Sequence, residues 1–393
     1  MAKTMRPLPD RVAEESEYDV TERDHQLKST RGPRYDAAVL GFRHYWYPGI
    51  LSRQLGKKPK AVTLLGEQLV FVRANNRTYA LFNRCAHRGV ALSEGKCLSE
   101  GTITCPYHGW TYSVTDGKLI AALTDGPESA VVGKKGVRSY PVEERNGIIY
   151  VYMGDGNPPA LEEDVPEELL NPEYVFEAVT SIWGNNWRPT VENGYDASHA
   201  SYLHRYSLRW RTQLNVPPGW GGKVENEVRG KYLMQHRRGP MGFQANFPGV
   251  GVWPRHSWIR KALAKARRKI SKATTFPVAG FRLPSVIVNH YTYYTHVRWS
   301  VPVDAKRTRN FQMFVGRYHG LKALAFRLEY WLWHRWVFHK LFNEGQDRWI
   351  LERLDYSAPE QLFRPDSSIV GLRKYVEKNA RSSDPVDGRK AAS

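Results

Sequence analysis

Cys85-Ala86-His87-Arg88-Gly89 and, with seventeen residues between His87 and Cys105, Cys105-Pro106-Tyr107-His108-Gly109-Trp110 decide how this chain reads. Two cysteines and two histidines arrive as one Cys-x-His pair and one Cys-x-x-His pair. A Cys₂His₂ zinc finger usually pairs Cys with Cys and His with His, the latter on a short helix. Here each pair mixes the two ligand types. That suits a [2Fe–2S] centre in which one iron takes two thiolates and the other two imidazoles. Each loop then gives one ligand to each iron, and the cluster is clamped between two similar fingers.

The surroundings of the two pairs are β-rich. Val62–Leu65, Leu69–Arg73 and Thr78–Phe82 are short strand-like runs parted by turns at Gly66-Glu67 and Ala74-Asn75-Asn76. Thr102–Thr104 leads into the second pair, Trp110–Val114 leaves it, and Val137–Val142 and Ile148–Met153 form a hairpin across Asn146-Gly147. Residues 41–160 therefore read as one all-β domain with both ligand pairs on loop tips. Residues 1–40 are charged and weakly periodic, a disordered or loosely docked arm. The acidic, Pro-rich stretch after Met153 is the linker to a second domain over 161–380, and 381–393 is a disordered tail. In that second domain Tyr174–Trp183, Lys223–Arg237, Ser285–Val303 and Phe311–Tyr318 carry strand period, and Trp187–Arg205 reads as a helix.

The predicted helix holds Glu192-Asn193-Gly194-Tyr195-Asp196-Ala197-Ser198-His199, with His204 five residues on. Two neutral imidazoles and one carboxylate that leave adjacent positions open form the facial triad of non-haem Fe(II) sites that activate O₂. A spacing of five does not place both histidines on one face of a regular helix. A π-like turn or the helix end is expected between them.

The two Cys/His loops resemble the cluster-binding loops of Rieske proteins. Followed by Asp196-x-x-His199-x-x-x-x-His204, they make the chain similar to the catalytic α subunit of Rieske non-haem iron aromatic-ring-hydroxylating oxygenases. Within these it resembles the α-only class that includes carbazole dioxygenase, through Gly41-Phe42-Arg43-His44-Tyr45-Trp46-Tyr47-Pro48 and Val191–His199. The resemblance covers about residues 40–380. It implies an α+β fold: an N-terminal all-β Rieske domain, then a helix-grip (START-like) domain with an antiparallel sheet. It implies that Cys85, His87, Cys105 and His108 hold the cluster. It implies Fe(II) held by His199, His204 and a downstream aspartate, for which Asp347 in Glu344-Gly345-Gln346-Asp347 is preferred over Glu344, Glu352 and Asp355. It also implies that Asp196 joins His108 of one subunit to His199 of its neighbour in a homotrimer. The implied activity is that of a terminal oxygenase component. It uses O₂, and electrons from NAD(P)H through a ferredoxin or reductase, to hydroxylate a hydrophobic cyclic or aromatic substrate. Demethylation or desaturation of a membrane-derived, sterol-like substrate is the alternative. A Rieske electron carrier would need neither a second iron site nor so long a second domain, and no dinucleotide fingerprint is present.

Cys85, Cys97 and Cys105 are the only cysteines, so a disulfide framework is excluded and a reducing cytoplasm fits, with no secretory signal at the start. The formal charge of +19 draws anionic partners, an acidic donor protein or a membrane surface, and no nucleic-acid motif accompanies it. Trp258–Lys272 has the form of a basic amphipathic helix suited to peripheral membrane contact. Leu321–Phe342 is apolar nearly all round, yet carries too many charges for a span, and reads as a buried core helix leading to Asp347. The aromatic run Tyr291–Trp299 is a candidate wall of the substrate cavity.

Overall fold

The computed structural model describes residues 31–196, 199, 203–204, 223–238, 278–291, 294–362 and 366–381. Trp258–Lys272 and the 381–393 tail beyond Arg381 lie outside them. The N-terminal part is built from short antiparallel strands. One sheet orders β1 (Trp46–Leu51), β10 (Ile148–Tyr152) and β9 (Val142–Arg145). A second orders β2 (Lys60–Leu64), β3 (Glu67–Ala74), β4 (Arg77–Phe82) and β8 (Ser139–Tyr140). A third small sheet, β5 (Thr102–Thr104), β6 (Trp110–Ser113) and β7 (Leu119–Ala122), carries the second ligand loop. Hairpins turn at Leu65-Gly66, Asn75-Asn76 and Asn146-Gly147, where both central residues take positive φ. These are the left-handed pairs whose twist matches that of the strands they join.

The C-terminal part is a seven-stranded antiparallel sheet. Its order is β11 (Val175–Trp183), β17 (Arg307–Gly316), β16 (Thr295–Asp304), β15 (Val286–His290), β14 (Val278–Arg282), β13 (Tyr232–Arg238) and β12 (Lys223–Arg229). Two runs expected as single strands are hairpins. Residues 223–237 fold back across Gly230, which takes a positive φ of 56°. Residues 285–303 fold back between His290 and Thr295, where Tyr291 and Tyr294 stack at 4.7 Å. Alternation alone does not reveal a register reversal when the turn residues keep the period. Tyr291 and Tyr294 are therefore turn residues, Tyr293 lies outside the described residues, and Trp299 is fully buried in the main core.

The sheet has one apolar face and one polar face, both buried. Val297, Trp299, Val301, Phe311, Met313 and Val315 point into a core shared with β1, β10 and helix α3 (Trp187–Tyr195). His296, Arg298, Ser300, Asn310 and Gln312 point the other way and are also buried.

Against that polar face lies one long helix. It starts as α4 (Gly320–Glu329), widens into a π-helix over Tyr330–Asp347 and closes as α5 (Arg348–Leu351), with α1 (Pro33–Ala37) and α2 (Glu167–Leu170) earlier in the chain. The Arg348 N–H reaches back five residues to the Asn343 carbonyl, the π pattern. Tyr330, His339, Asn343 and Asp347 are buried and His334 half-buried, so inward positions recur every four to five residues. The outward face is rich in apolar residues interleaved with charged ones. Leu321 is 84% exposed, Leu332 77% and Trp336 56%, with Leu324, Leu328 and Trp333 also exposed. Among the described side chains the expected buried core helix is found only in part: His339, Asn343 and Asp347 face in beside Phe326 and Tyr330, and the leucines and tryptophans just named face out. Among the described residues no helix is long and apolar enough to cross a membrane.

The end of the N-terminal arm is docked. Tyr35 in α1 is fully buried against Trp187, and its hydroxyl donates to Glu192. Glu192 also accepts from Tyr356 and from both the Nε and a terminal nitrogen of Arg373, on helix α6 (Ser367–Asn379). Arg373 is buried and pairs as well with Glu360 at 2.7 Å. This ring of charge-assisted bonds fixes α3 against α1 and α6.

Candidate metal centres

The two Cys/His loops are copies of one backbone shape. Cys85 N–H donates to the Val90 carbonyl at 2.8 Å and Gly89 N–H to the Cys85 carbonyl at 2.9 Å. Cys105 N–H likewise donates to Trp110 and Gly109 N–H to Cys105, at 2.8 and 3.2 Å. Gly89 and Gly109 both need positive φ, and a Cβ on Gly109 would meet Leu123 at 2.7 Å. The loops therefore present Cys85 opposite Cys105 and His87 opposite His108. Both thiols are buried, and burial raises that of Cys105. The imidazoles of His87 and His108 lie 4.5 Å apart near the surface, and His87 stacks on Trp110. Two buried sulfurs beneath two outward imidazoles fit a cluster whose histidine-bound iron faces the outside. Tyr112, which sequence reading did not single out, packs under the site. Its hydroxyl is 3.2 Å from Cys85 Sγ and accepts the Ala86 N–H, and burial followed by Cys85 pushes its own ionisation well up. Cys97 is exposed and apart from them.

Helix α3 ends at Tyr195. Asp196 caps it with extended backbone, its N–H donating to the Glu192 carbonyl at 2.7 Å. The single helix expected through Arg205 is thus broken, and the break falls before His199. This turn lets His199 and His204 approach Asp347: one ligand atom from each of the three lies within 4.8 Å of the others. His204 Nε2 is 3.1 Å, and His199 Nε2 3.5 Å, from Asp347 Oδ1. The other ring nitrogens are engaged. His199 Nδ1 lies 3.3 Å from Asp196 Oδ2, and His204 Nδ1 2.6 Å from Gln346 Oε1. Each imidazole thus turns Nε2 inward: Gln346 hydrogen-bonds Nδ1 of His204, and the Asp196 carboxylate stands beside Nδ1 of His199, much as metal-bound histidines are usually oriented. Asp347 Oδ1 is buried and accepts no well-formed hydrogen bond from a described residue, although two imidazoles stand beside it. Three inward lone-pair atoms of this kind fit a divalent iron.

The electrostatics agree. Burial opposes charge on His199, but Asp196 and Asp347 flank it and raise it to about 9 in the metal-free state. Burial likewise opposes charge on Asp347, yet His199 and His204 hold its carboxyl far below the ordinary range. Arg298 is a further participant. Its guanidinium is 3.8 Å from Asp347 Oδ2 and donates to the Thr190 carbonyl and Asn193 Oδ1, and burial lowers its affinity for its proton. A Cβ on Gly194 would collide with it, so glycine there lets the cation reach the carboxylate. The competing acids are occupied elsewhere. Glu344 binds Ser181, Trp183 and Arg348; Glu352 binds the Gly184 N–H and Arg348; Asp355 caps the turn at Ser357.

An all-β [2Fe–2S] domain joined to a sheet-and-helix domain with a two-histidine, one-carboxylate cluster defines a Rieske oxygenase. Comparison with known proteins agrees: residues 45–141 match the Rieske [2Fe-2S] domain, and residues 152–384 match the homotrimeric ring hydroxylase family, to which the chain belongs. The chain is 43% identical over 367 residues to the carbazole 1,9a-dioxygenase terminal oxygenase component CarAa of Sphingomonas sp, covering 88% of this chain and 94% of that protein. The CarAa of Metapseudomonas resinovorans is 41% identical over 209 residues, 54% of its length. The solved terminal oxygenase of carbazole 1,9a-dioxygenase from Nocardioides aromaticivorans IC177 superposes with a TM-score of 0.76 at 29% identity, over 89% of this chain and 98% of that one. The protein is therefore the terminal oxygenase component of a Rieske ring-hydroxylating system, an oxidoreductase with a [2Fe–2S] cluster and a mononuclear iron.

Proposed function

We propose that this chain hydroxylates a hydrophobic cyclic or aromatic substrate at an Fe(II) held by His199, His204 and Asp347. The convergence of those three side chains, each imidazole steadied from outside, carries the reading. When bound, the iron supplies O₂ activation and the cluster supplies single electrons. Cys85, His87, Cys105 and His108 hold the cluster at the surface, where a donor protein can reach it. Solved relatives include an oxygenase in reduced complex with ferredoxin, which supports a ferredoxin as that donor here, fed by an NAD(P)H-dependent reductase. Asp196 is a positioning residue. Its carboxylate sits on the outer nitrogen of His199, and in a homotrimer its other side would meet His108 of the neighbouring subunit, joining the two centres. Residues 41–160 would form the cluster domain and 161–380 the catalytic domain. Reconstitution with a surrogate ferredoxin and reductase tests the proposal: aromatic substrates should be oxidised. His199→Ala should abolish oxidation while the reduced-state cluster EPR signal persists, and turnover retained by this variant would refute the site.

A second reading concerns where the substrate comes from. The outward Leu and Trp residues of α4 and the π-helix are interleaved with Lys322, Arg327 and Lys340, and Arg335 stacks over Trp331 and Trp336. Aromatic and aliphatic side chains among cations suit an anionic membrane interface. This supports peripheral contact, and with it demethylation or desaturation of a membrane-derived substrate. Flotation with anionic liposomes tests it; a protein that stays with the dense fraction, its Trp face covered in the trimer, would refute it.

A further inference from the structure

The polar face of the large sheet has no structural need to be polar. Its other face is filled by Val, Trp, Phe and Met, and both faces are equally closed to solvent. Gln312 lies midway along β17, the strand next to the edge strand β11. Its Oε1 accepts from His339 Nδ1 at 3.0 Å and from Asn343 Nδ2, both on the inward face of the π-helix. With His339 as the Nδ1–H tautomer both groups donate to the oxygen, and the amide nitrogen points the other way. The Nε2 group is left aimed away from both, 1% of the residue is exposed, and Nε2 has no partner among the described residues. A buried amide donor with no acceptor is unfavourable, and a methionine or leucine would occupy the same space without that penalty.

The place of this donor matters. Gln312 is the cross-strand partner of Arg298, which touches Asp347, and Asn343 lies one turn before Asp347 on the same helix face. Neighbouring strands are about 5 Å apart, so the amide lies roughly 5–10 Å from the triad, within one fused-ring skeleton. His339 reinforces the polarity: burial, then His334 and Arg335, lower it to about 3, so it stays neutral, and as the Nδ1–H tautomer it donates to Gln312.

We infer that Gln312, braced by His339 and Asn343, is a specificity residue that donates through Nε2 to a hydrogen-bond acceptor on the substrate. The substrate class is then a cyclic compound bearing a carbonyl or similar acceptor, in preference to a bare hydrocarbon. This rests on the oxygenase reading of the triad for its meaning, but not for its test.

The test compares fluorene with fluoren-9-one, two tricycles that differ by one acceptor, and adds carbazole, whose ring N–H is a donor. Dissociation constants are measured anaerobically on the metal-loaded full chain without reductant, and kcat/KM is measured separately with a surrogate donor system. The unaltered protein should bind fluoren-9-one about 10-fold more tightly than fluorene. Gln312→Met, of similar volume, should bring that ratio to about one while changing fluorene binding less than about threefold. Gln312→Glu, an acceptor at the same place, should shift preference towards carbazole. Circular dichroism and the cluster EPR signal identify any variant that fails to fold, and the ratio in the unaltered protein and the other variant then decides. A ratio near one in the unaltered protein, a ratio unchanged by Gln312→Met, or no binding of any tricycle overturns the inference, leaving Gln312 a brace for the helix. Selective binding without oxidation would instead count against the catalytic reading and leave this one standing.

Discussion

Replacing Gln346 by leucine should weaken iron binding without touching a ligand. The Gln346 oxygen lies 2.6 Å from His204 Nδ1, so it accepts that N–H and keeps the Nε2 lone pair directed at the triad. Leucine takes away the Gln346 acceptor of a buried N–H, at about 1–3 kcal/mol. Outer partners of metal-bound histidines are generally worth about 10–100-fold in affinity or activity, which is about 1.4–2.8 kcal/mol at 1.4 kcal/mol per tenfold. The two estimates agree, so the Fe(II) dissociation constant of Gln346→Leu should rise by one to two orders of magnitude. Competition with a chromogenic Fe(II) chelator under argon measures it, with the cluster EPR signal as an internal control. Gln346→Glu restores an acceptor and should recover most of the loss. Wild-type affinity in the leucine variant, or a glutamate variant as weak as leucine, would refute the idea that the outer bond orients His204.

Asp196→Asn should retain both metals yet slow reoxidation of the reduced cluster by O₂ and substrate in a single turnover; reoxidation at the normal rate would remove Asp196 from the electron route. Arg298→Met should leave Asp347 without its cation and lower substrate oxidation at least tenfold while the fold is kept, measured as kcat/KM beside thermal melting. Arg373→Met leaves Glu192 as an uncompensated buried charge and should cost about 3–5 kcal/mol of stability, read in a denaturant titration. In protein stripped of its mononuclear iron, His199 has a raised folded value of about 9. Its stabilising contribution is thus present below the unfolded value near 6.5 and lost as pH rises through about 9. Iron must displace that proton, so apparent Fe(II) affinity should climb roughly tenfold per pH unit up to about pH 9 and then level, which chelator competition across that range checks.

The cluster loops are legible because four candidate ligands and two glycines fall within a short stretch, and their chemistry tolerates little else. The triad was half legible. His199 and His204 are close in sequence, whereas Asp347 is brought in by a long helix, and among four nearby acids only the resemblance favoured it. Arg298, Gln346 and Tyr112 were not found. Each looks ordinary in its own strand or helix, and acts only through a partner far along the chain. The hairpins at Gly230 and Tyr291–Tyr294 were read as unbroken strands because their turns preserve the alternating period. The long helix misled most. Its apolar residues suggest a core helix, whereas among the described side chains the buried ones include a histidine, an asparagine and an aspartate beside Phe326 and Tyr330.

The π pattern of that helix has a geometric consequence. An α-helix advances about 100° per residue, so the seventeen steps from Tyr330 to Asp347 would bring the two side chains to rest about 100° apart around the axis. The wider winding returns them to a common side. The surplus backbone in each turn thus acts as an angular setting for the carboxylate. A single deletion between Glu329 and Asn343, even of a solvent-facing leucine, would turn Asp347 away from both histidines. The aim of the iron site is fixed by a residue count along a surface that never touches the metal.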